Sequence, residues 1–131
     1  QLHNFFQGNT NALEITIKGA DTAKYLDLVS FATFSGLPVN GSPVLFEFDI
    51  KSPLGVQVAL EKIDGGVHTY VPFLFLYAND NWKRYYMNFV PEIAGQNPTN
   101  SYKIYLSFDK PASYTSDVKI YLDNIRFCNL P

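Results

Sequence analysis

Pro43-Val44-Leu45-Phe46-Glu47-Phe48-Asp49-Ile50 decides the fold. Val44, Phe46, Phe48 and Ile50 fall on one side of an extended chain, while Leu45, Glu47 and Asp49 fall on the other. A strand has that period of two and a helix does not. One side must be buried and the other can meet water, so this segment reads as a half-buried strand inside a sheet.

The same alternation extends outward to Ala12–Lys18, Tyr25–Phe34, Gly55–Lys62, Val67–Tyr77, Trp82–Val90, Tyr102–Phe108 and Val118–Phe127. Together with Pro43–Ile50 these make eight predicted strands and leave little room for helix. Between them lie clusters of turn formers: Gly36-Leu37-Pro38 with Asn40-Gly41-Ser42, Ser52-Pro53-Leu54-Gly55, Asp64-Gly65-Gly66, Asn79-Asp80-Asn81, Gly95–Asn100 and Lys110–Asp117. Asp64-Gly65-Gly66 has the spacing of a tight hairpin, because glycine enters positive φ without steric cost; the strands on either side of it should pair directly.

Alternation also names the core. Val44, Phe46, Phe48 and Ile50 face inward with Val56, Val58 and Leu60, with Tyr85, Met87 and Phe89, with Ile104, Leu106 and Phe108, and with Ile120, Leu122, Ile125 and Phe127. Two inward faces imply an all-β, two-sheet antiparallel sandwich. The last strand breaks its period at Asp123-Asn124, since Leu122 and Ile125 lie three apart, and this reads as a bulge that re-aims a carboxylate.

The chain of 131 residues has the length of one domain, 1–131, with 47% hydrophobic and 17% charged residues, a balance that supports a core. A net charge of −2 without any Lys/Arg cluster argues against nucleic acid and against anionic membrane surfaces. The most apolar run, Val71–Tyr77, is too short to cross a bilayer and carries Pro72. Gln1-Leu2-His3-Asn4 has neither the basic nor the apolar part of a signal peptide, so such a segment has been removed or lies outside this sequence. Cys128, the one cysteine, cannot form an internal disulfide and reads as a packed thiol.

Aromatic residues reach 16%, with 11 Phe and 9 Tyr but a single Trp. Opposite the core positions stand Tyr105 with Lys103, Tyr86 with Arg84 and Asn88, Tyr121 with Lys119, and Gln57 with Glu61. Pyranose rings offer apolar C–H faces that stack on aromatic rings, and their hydroxyls need carboxylates, amides or guanidinium groups beside them. An outward tyrosine can equally well do no more than cover a sheet. Trp82, three residues before core Tyr85, reads as packing at a sheet edge, with a ligand-facing role as the other possibility.

No enzyme is expected. His3 and His68 lack the partners of a zinc or catalytic metal site, with His68 read as a surface residue. No Gly-x-Ser-x-Gly or phosphate-cradling loop occurs, and Cys128 has no evident base. Asp27, Glu47, Asp49 and Glu61 could face solvent, but nothing in the sequence sets two of them across a cleft.

Three segments, Leu45-Phe46-Glu47-Phe48-Asp49-Ile50-Lys51, Trp82-Lys83-Arg84-Tyr85 after a polar turn, and the closing Val118-Lys119-Ile120-Tyr121-Leu122-Asp123-Asn124-Ile125-Arg126-Phe127, have an order and spacing that resemble the jelly-roll carbohydrate-binding modules appended to secreted polysaccharide-degrading enzymes. The resemblance covers Asn11–Phe127 and is most specific in the closing strand. It implies a jelly-roll topology with the second, fourth, fifth and seventh predicted strands in one concave sheet that grips polysaccharide or oligosaccharide. The residues it selects there are Tyr25, Asp27, Gln57, Glu61, Tyr70 and Tyr105. It further implies a non-catalytic, monomeric module of a larger secreted or cell-surface protein, an accessory domain targeting an attached glycoside hydrolase. A structural Ca2+ on Asp123 belongs to the same resemblance, although the acidic partner near the N-terminus has only Glu14 as a match, and Asp123 could instead merely cap the bulge. The other reading is a structural or protein-docking β-sandwich without a sugar ligand.

Overall fold

The computed structural model describes residues 3–7, 12–20, 25–30 and 33–129. Their strands are β1 (His3–Gln7), β2 (Leu13–Ile17), β3 (Tyr25–Val29), β4 (Phe34–Ser35), β5 (Val44–Ser52), β6 (Val56–Asp64), β7 (Val67–Leu76), β8 (Asn79–Asn88), β9 (Ser101–Asp109) and β10 (Val118–Asn129), with one short helix, α1 (Val90–Ile93), between β8 and β9. They form two antiparallel five-stranded sheets. In sheet I, β10 lies between β5 and the pair β1 and β2, and β8 closes the far edge. In sheet II, β9 lies between β6 and the pair β3 and β4, and β7 closes the far edge. Every connection from β5 to β10 except the β6–β7 hairpin changes sheet, which is the jelly-roll path.

Sheet II therefore holds the second, fourth, fifth and seventh of the strands expected from sequence. The hairpin is where the glycines placed it: Asp64 pairs with Val67, and Gly65 and Gly66 take φ of 56° and 86°. Both turn residues in the left-handed region give the twist that joins antiparallel strands through two residues. β5 alternates between buried and half-buried along its whole length.

All the expected core positions are buried except Tyr85 and Ile125, which pack half-buried against the core. The sheets are locked by phenylalanines. Phe127 of β10 meets Phe34 of β4 with ring centroids 4.5 Å apart, and Phe73 of β7 meets Phe89 edge-on at 4.8 Å. Phe46 and Phe89 complete the group, 6.1 Å from each other and each 6.3 Å from Phe127. Cys128 is buried as a free thiol.

Four details differ from the sequence reading. β1 was not expected. Within Tyr25–Phe34 the described residues form two short strands, β3 and β4, and after Val29 the Ser30 hydroxyl accepts the Ile104 N–H. β8 starts at Asn79, inside the expected turn, where Asn79 pairs with Ser52 and its side chain accepts the Asn81 N–H. In β7, Pro72 pairs with Ala59 and Leu74 with Val58, so Phe73 is one residue too many and the faces exchange after it. Proline has no N–H for the ladder and settles at edges and bulges, both of which apply here. The Asp123–Arg126 shift in β10 is the expected bulge, with Asn124 at φ 50°.

Phe127 is fully buried where four phenylalanines from both sheets converge. Phe127→Ala should lower the unfolding free energy by about 3–5 kcal/mol in urea denaturation, with the midpoint moving and the slope unchanged.

Candidate binding groove on sheet II

The register of sheet II sets side chains in rows across its outer face. Asp27, Ser107, Gln57 and Phe75 form one row, from β3 through β9 and β6 to β7. Val29, Tyr105, Ala59 and Pro72 form the next, and Lys103, Glu61 and Tyr70 the one beyond. A groove of about 600 Å³ opens on this face, lined by Asp27, Gln57, Tyr70, Phe75, Ser107 and Asp109 among others.

Two of its aromatic walls are half-exposed, Tyr70 at 50% and Phe75 at 49%. Tyr70 stands edge-on to Tyr105 at 5.8 Å, and Phe75 edge-on to Tyr77 at 5.4 Å. Phe75 can lie over the start of β6 because residue 55 is glycine; a Cβ there would come within 2.4 Å of the ring.

The polar groups are held in place. Tyr105 Oη donates to Glu61 Oε2 at 3.0 Å, and His68 Nδ1 lies 2.9 Å from Glu61 Oε1. The His68 hydrogen bond is the largest influence keeping the Glu61 carboxyl below its ordinary value; partial burial opposes it, and Tyr105 and Lys103 act in the same direction as His68. In return, the carboxylate raises the Tyr105 phenol. The Gln57 amide donates to the Val58 carbonyl at 3.0 Å, which orients it along the strand.

Of the residues singled out from sequence, Asp27, Gln57 and Tyr70 line the groove, and Tyr105 and Glu61 adjoin it through Tyr70 and Lys103. Tyr25 pairs with Asp109 at the end of the same sheet, and its side chain lies outside the described residues. Phe75, Ser107 and Asp109 were not named in advance. Simple alternation from Tyr70 turns Phe75 inward, and only the bulge at Phe73 brings it out; Pro72 was the available signal.

Trp82 lies on β8, an edge strand of sheet I, but is less covered than edge packing implies. It is 46% exposed on the outer face of sheet I, because Met87 points inward and the alternation of β8 sends positions 82, 84 and 86 outward. Asp123 lies on that sheet as well. Its Oδ1 accepts the Asn124 N–H at 2.8 Å, and Glu14 turns to Lys119 at 3.3 Å. Among the described residues no three His, Cys, Asp or Glu side chains gather as a metal set. Calcium takes 6–8 oxygens, of which the Asp123 carboxylate would supply at most two.

No protein-family model matches the chain, and no curated protein does. Solved structures share its fold. A chain of the infectious bursal disease virus Gx strain superposes with a TM-score of 0.60 at 13% identity, over 92% of this chain and 32% of that one, so this chain spans about a third of its length. A family 29 carbohydrate-binding module gives 0.52 at 14% identity, over 97% and 81% of the two chains. A family 16 carbohydrate-binding module gives 0.50 at 13%, over 92% and 77%. At such identities the likeness is one of fold.

Two outcomes follow from this geometry. Because the Glu61 carboxyl is lowered on folding, its contribution to stability is present above its ordinary value and disappears as the pH falls through the folded one. The denaturation midpoint of the parent should therefore fall more on acidification than that of Glu61→Gln, the two converging at low pH. Asp123→Ala should lose about 1 kcal/mol with its hydrogen bond. Melting curves should show that loss equally with calcium and with chelator; a difference between them would mean an ion at the bulge.

Proposed function

We propose that this chain is a non-catalytic carbohydrate-binding domain whose sheet II groove takes a polysaccharide or oligosaccharide. The observation that carries this reading is the interleaving, on one face, of Tyr70, Phe75 and Tyr105 with Asp27, Gln57, Glu61, Ser107 and Asp109. Exposed rings can stack on the C–H faces of pyranose units. The carboxylates accept from sugar hydroxyls, Gln57 and Ser107 both donate and accept, and Lys103 donates. A groove open along the sheet suits a chain segment of cell-wall glycan.

The polar groups resemble a recognition surface more than a catalytic one. Hydrolysis of a glycosidic bond calls for one carboxyl kept protonated beside a second that is ionised. Glu61 is held in the opposite sense, as a carboxylate, by the hydrogen bonds of His68 and Tyr105. In this reading the domain works outside the cell, as a monomeric part of a larger protein whose enzyme it brings to its substrate. No helix among the described residues is long and apolar enough to cross a membrane.

Affinity gel electrophoresis against soluble β-glucan, xylan, mannan and galactan tests this. At least one polymer should retard the parent, and folded Tyr70→Ala and Phe75→Ala should each weaken binding about tenfold, the equivalent of about 1.4 kcal/mol. A parent that migrates unretarded in all four polymers would overturn the reading in favour of protein docking.

A further inference from the structure

The outer face of sheet I carries a second set of rings, with Trp82 46% exposed and Tyr121 half-buried. Trp82 on β8 and Tyr121 on β10 stand 6.4 Å apart between centroids, tilted by 52°, with Lys51 of β5 between them and its Nζ 5.8 Å from the Tyr121 ring. Beside this pair the charges are bound to one another. Arg84 reaches Asp49 through Nη1 at 3.0 Å and Glu47 through Nη2 at 3.1 Å, and its Nε donates to Tyr86 Oη at 2.9 Å. Its guanidinium also lies 5.2 Å from the centroid of the Tyr86 ring, a residue 71% exposed. Arg126 approaches Glu47 at 3.7 Å, and Asn124 donates to Asp49 at 2.7 Å.

Glu47 and Asp49 thus balance Arg84 and Arg126. The result is a polar surface whose arginines and carboxylates are bound to one another, next to one exposed and one half-buried ring. Apart from Lys51, which lies over the Tyr121 ring, the cations a polyanion would meet here are already engaged by carboxylates. A protein partner would have to desolvate four charges at the middle of the contact, where interfaces are depleted of charge. A neutral hydroxylated chain meets neither cost, since it can stack on Trp82 and Tyr121 while its hydroxyls replace the water around the ion pairs.

We propose that Trp82 and Tyr121 form a second glycan-binding platform for a neutral polysaccharide, on the sheet opposite the groove. It uses none of the groove residues and does not depend on the groove binding sugar. With both faces active, the domain would bridge two chains or two turns of one chain, and its avidity for polymer would exceed that of either face.

Trp82 is the only tryptophan, so its fluorescence reports this face directly. The parent and a Tyr70→Ala/Phe75→Ala variant, both checked for folding by circular dichroism, are titrated with soluble β-glucan, xylan, mannan and galactan. The emission of both should move to shorter wavelength with at least one polymer, and Tyr121→Ala should weaken that response about tenfold. Adding Trp82→Ala to the groove variant should abolish its remaining retardation in affinity gels. Unchanged emission while the parent is retarded would overturn this platform and leave the groove standing; unchanged emission with no retardation would overturn both. A shift lost in the groove variant would trace the signal to the groove and overturn the platform. A shift that follows protein concentration without polymer, with dimer in sedimentation, would assign the face to a second copy instead.

Discussion

The contact among Phe34, Phe46, Phe89 and Phe127 is the constraint on which the rest of the sandwich depends. Phe34 comes from sheet II, Phe46 and Phe127 from sheet I, and Phe89 from the end of β8, so the rings interlock the sheets at one level. The lone Cys128 offers no covalent substitute. Burial of these rings and of the aliphatic side chains around them carries the stability, at about 1.5–3 kcal/mol for each large side chain removed from water. Phe73, the extra residue of the β7 bulge, joins this cluster through Phe89, and beyond it Phe75 turns outward. Core packing and groove shape are thus one feature seen from two sides.

The strands and core were legible because both follow from a period of two, which β5 and β9 keep along almost their whole length and β10 keeps up to its bulge. What failed to show were interruptions of that period by local hydrogen bonding. The Ser30 hydroxyl takes the Ile104 N–H, the Asn79 side chain takes the Asn81 N–H, and Pro72 offers no N–H at all. Each moves a boundary or exchanges a face without altering the hydrophobic pattern that reveals the strand. Asp123-Asn124 could be seen beforehand because its bulge does alter that pattern, putting Leu122 and Ile125 three apart.

The groove was half legible for the same reason. Gln57, Glu61 and Tyr105 lie on strands whose alternation is unbroken between them and the core, and Asp27 follows from its pairing with Ser107. Phe75 lies beyond a bulge. For Trp82 the edge position was legible from its distance to Tyr85, whereas its exposure follows from the parity of β8. For an exposed aromatic residue, strand parity is the better guide than nearness to a core position.

Fold likeness reaches both carbohydrate-binding modules and a viral chain, so the sandwich by itself leaves function open. What separates the possibilities is how the outer faces hold their polar groups. Glu61 is fixed by Tyr105 and His68, Gln57 by its own strand, and Arg84 by two carboxylates and a phenol. Side chains already ordered cost little further entropy when a ligand arrives, about 0.5–1.5 kcal/mol saved for each one. That saving matters most for a ligand that binds through many weak contacts, each near the break-even point with water. A sugar chain is such a ligand, which is why the proposed reading assigns one to each outer face.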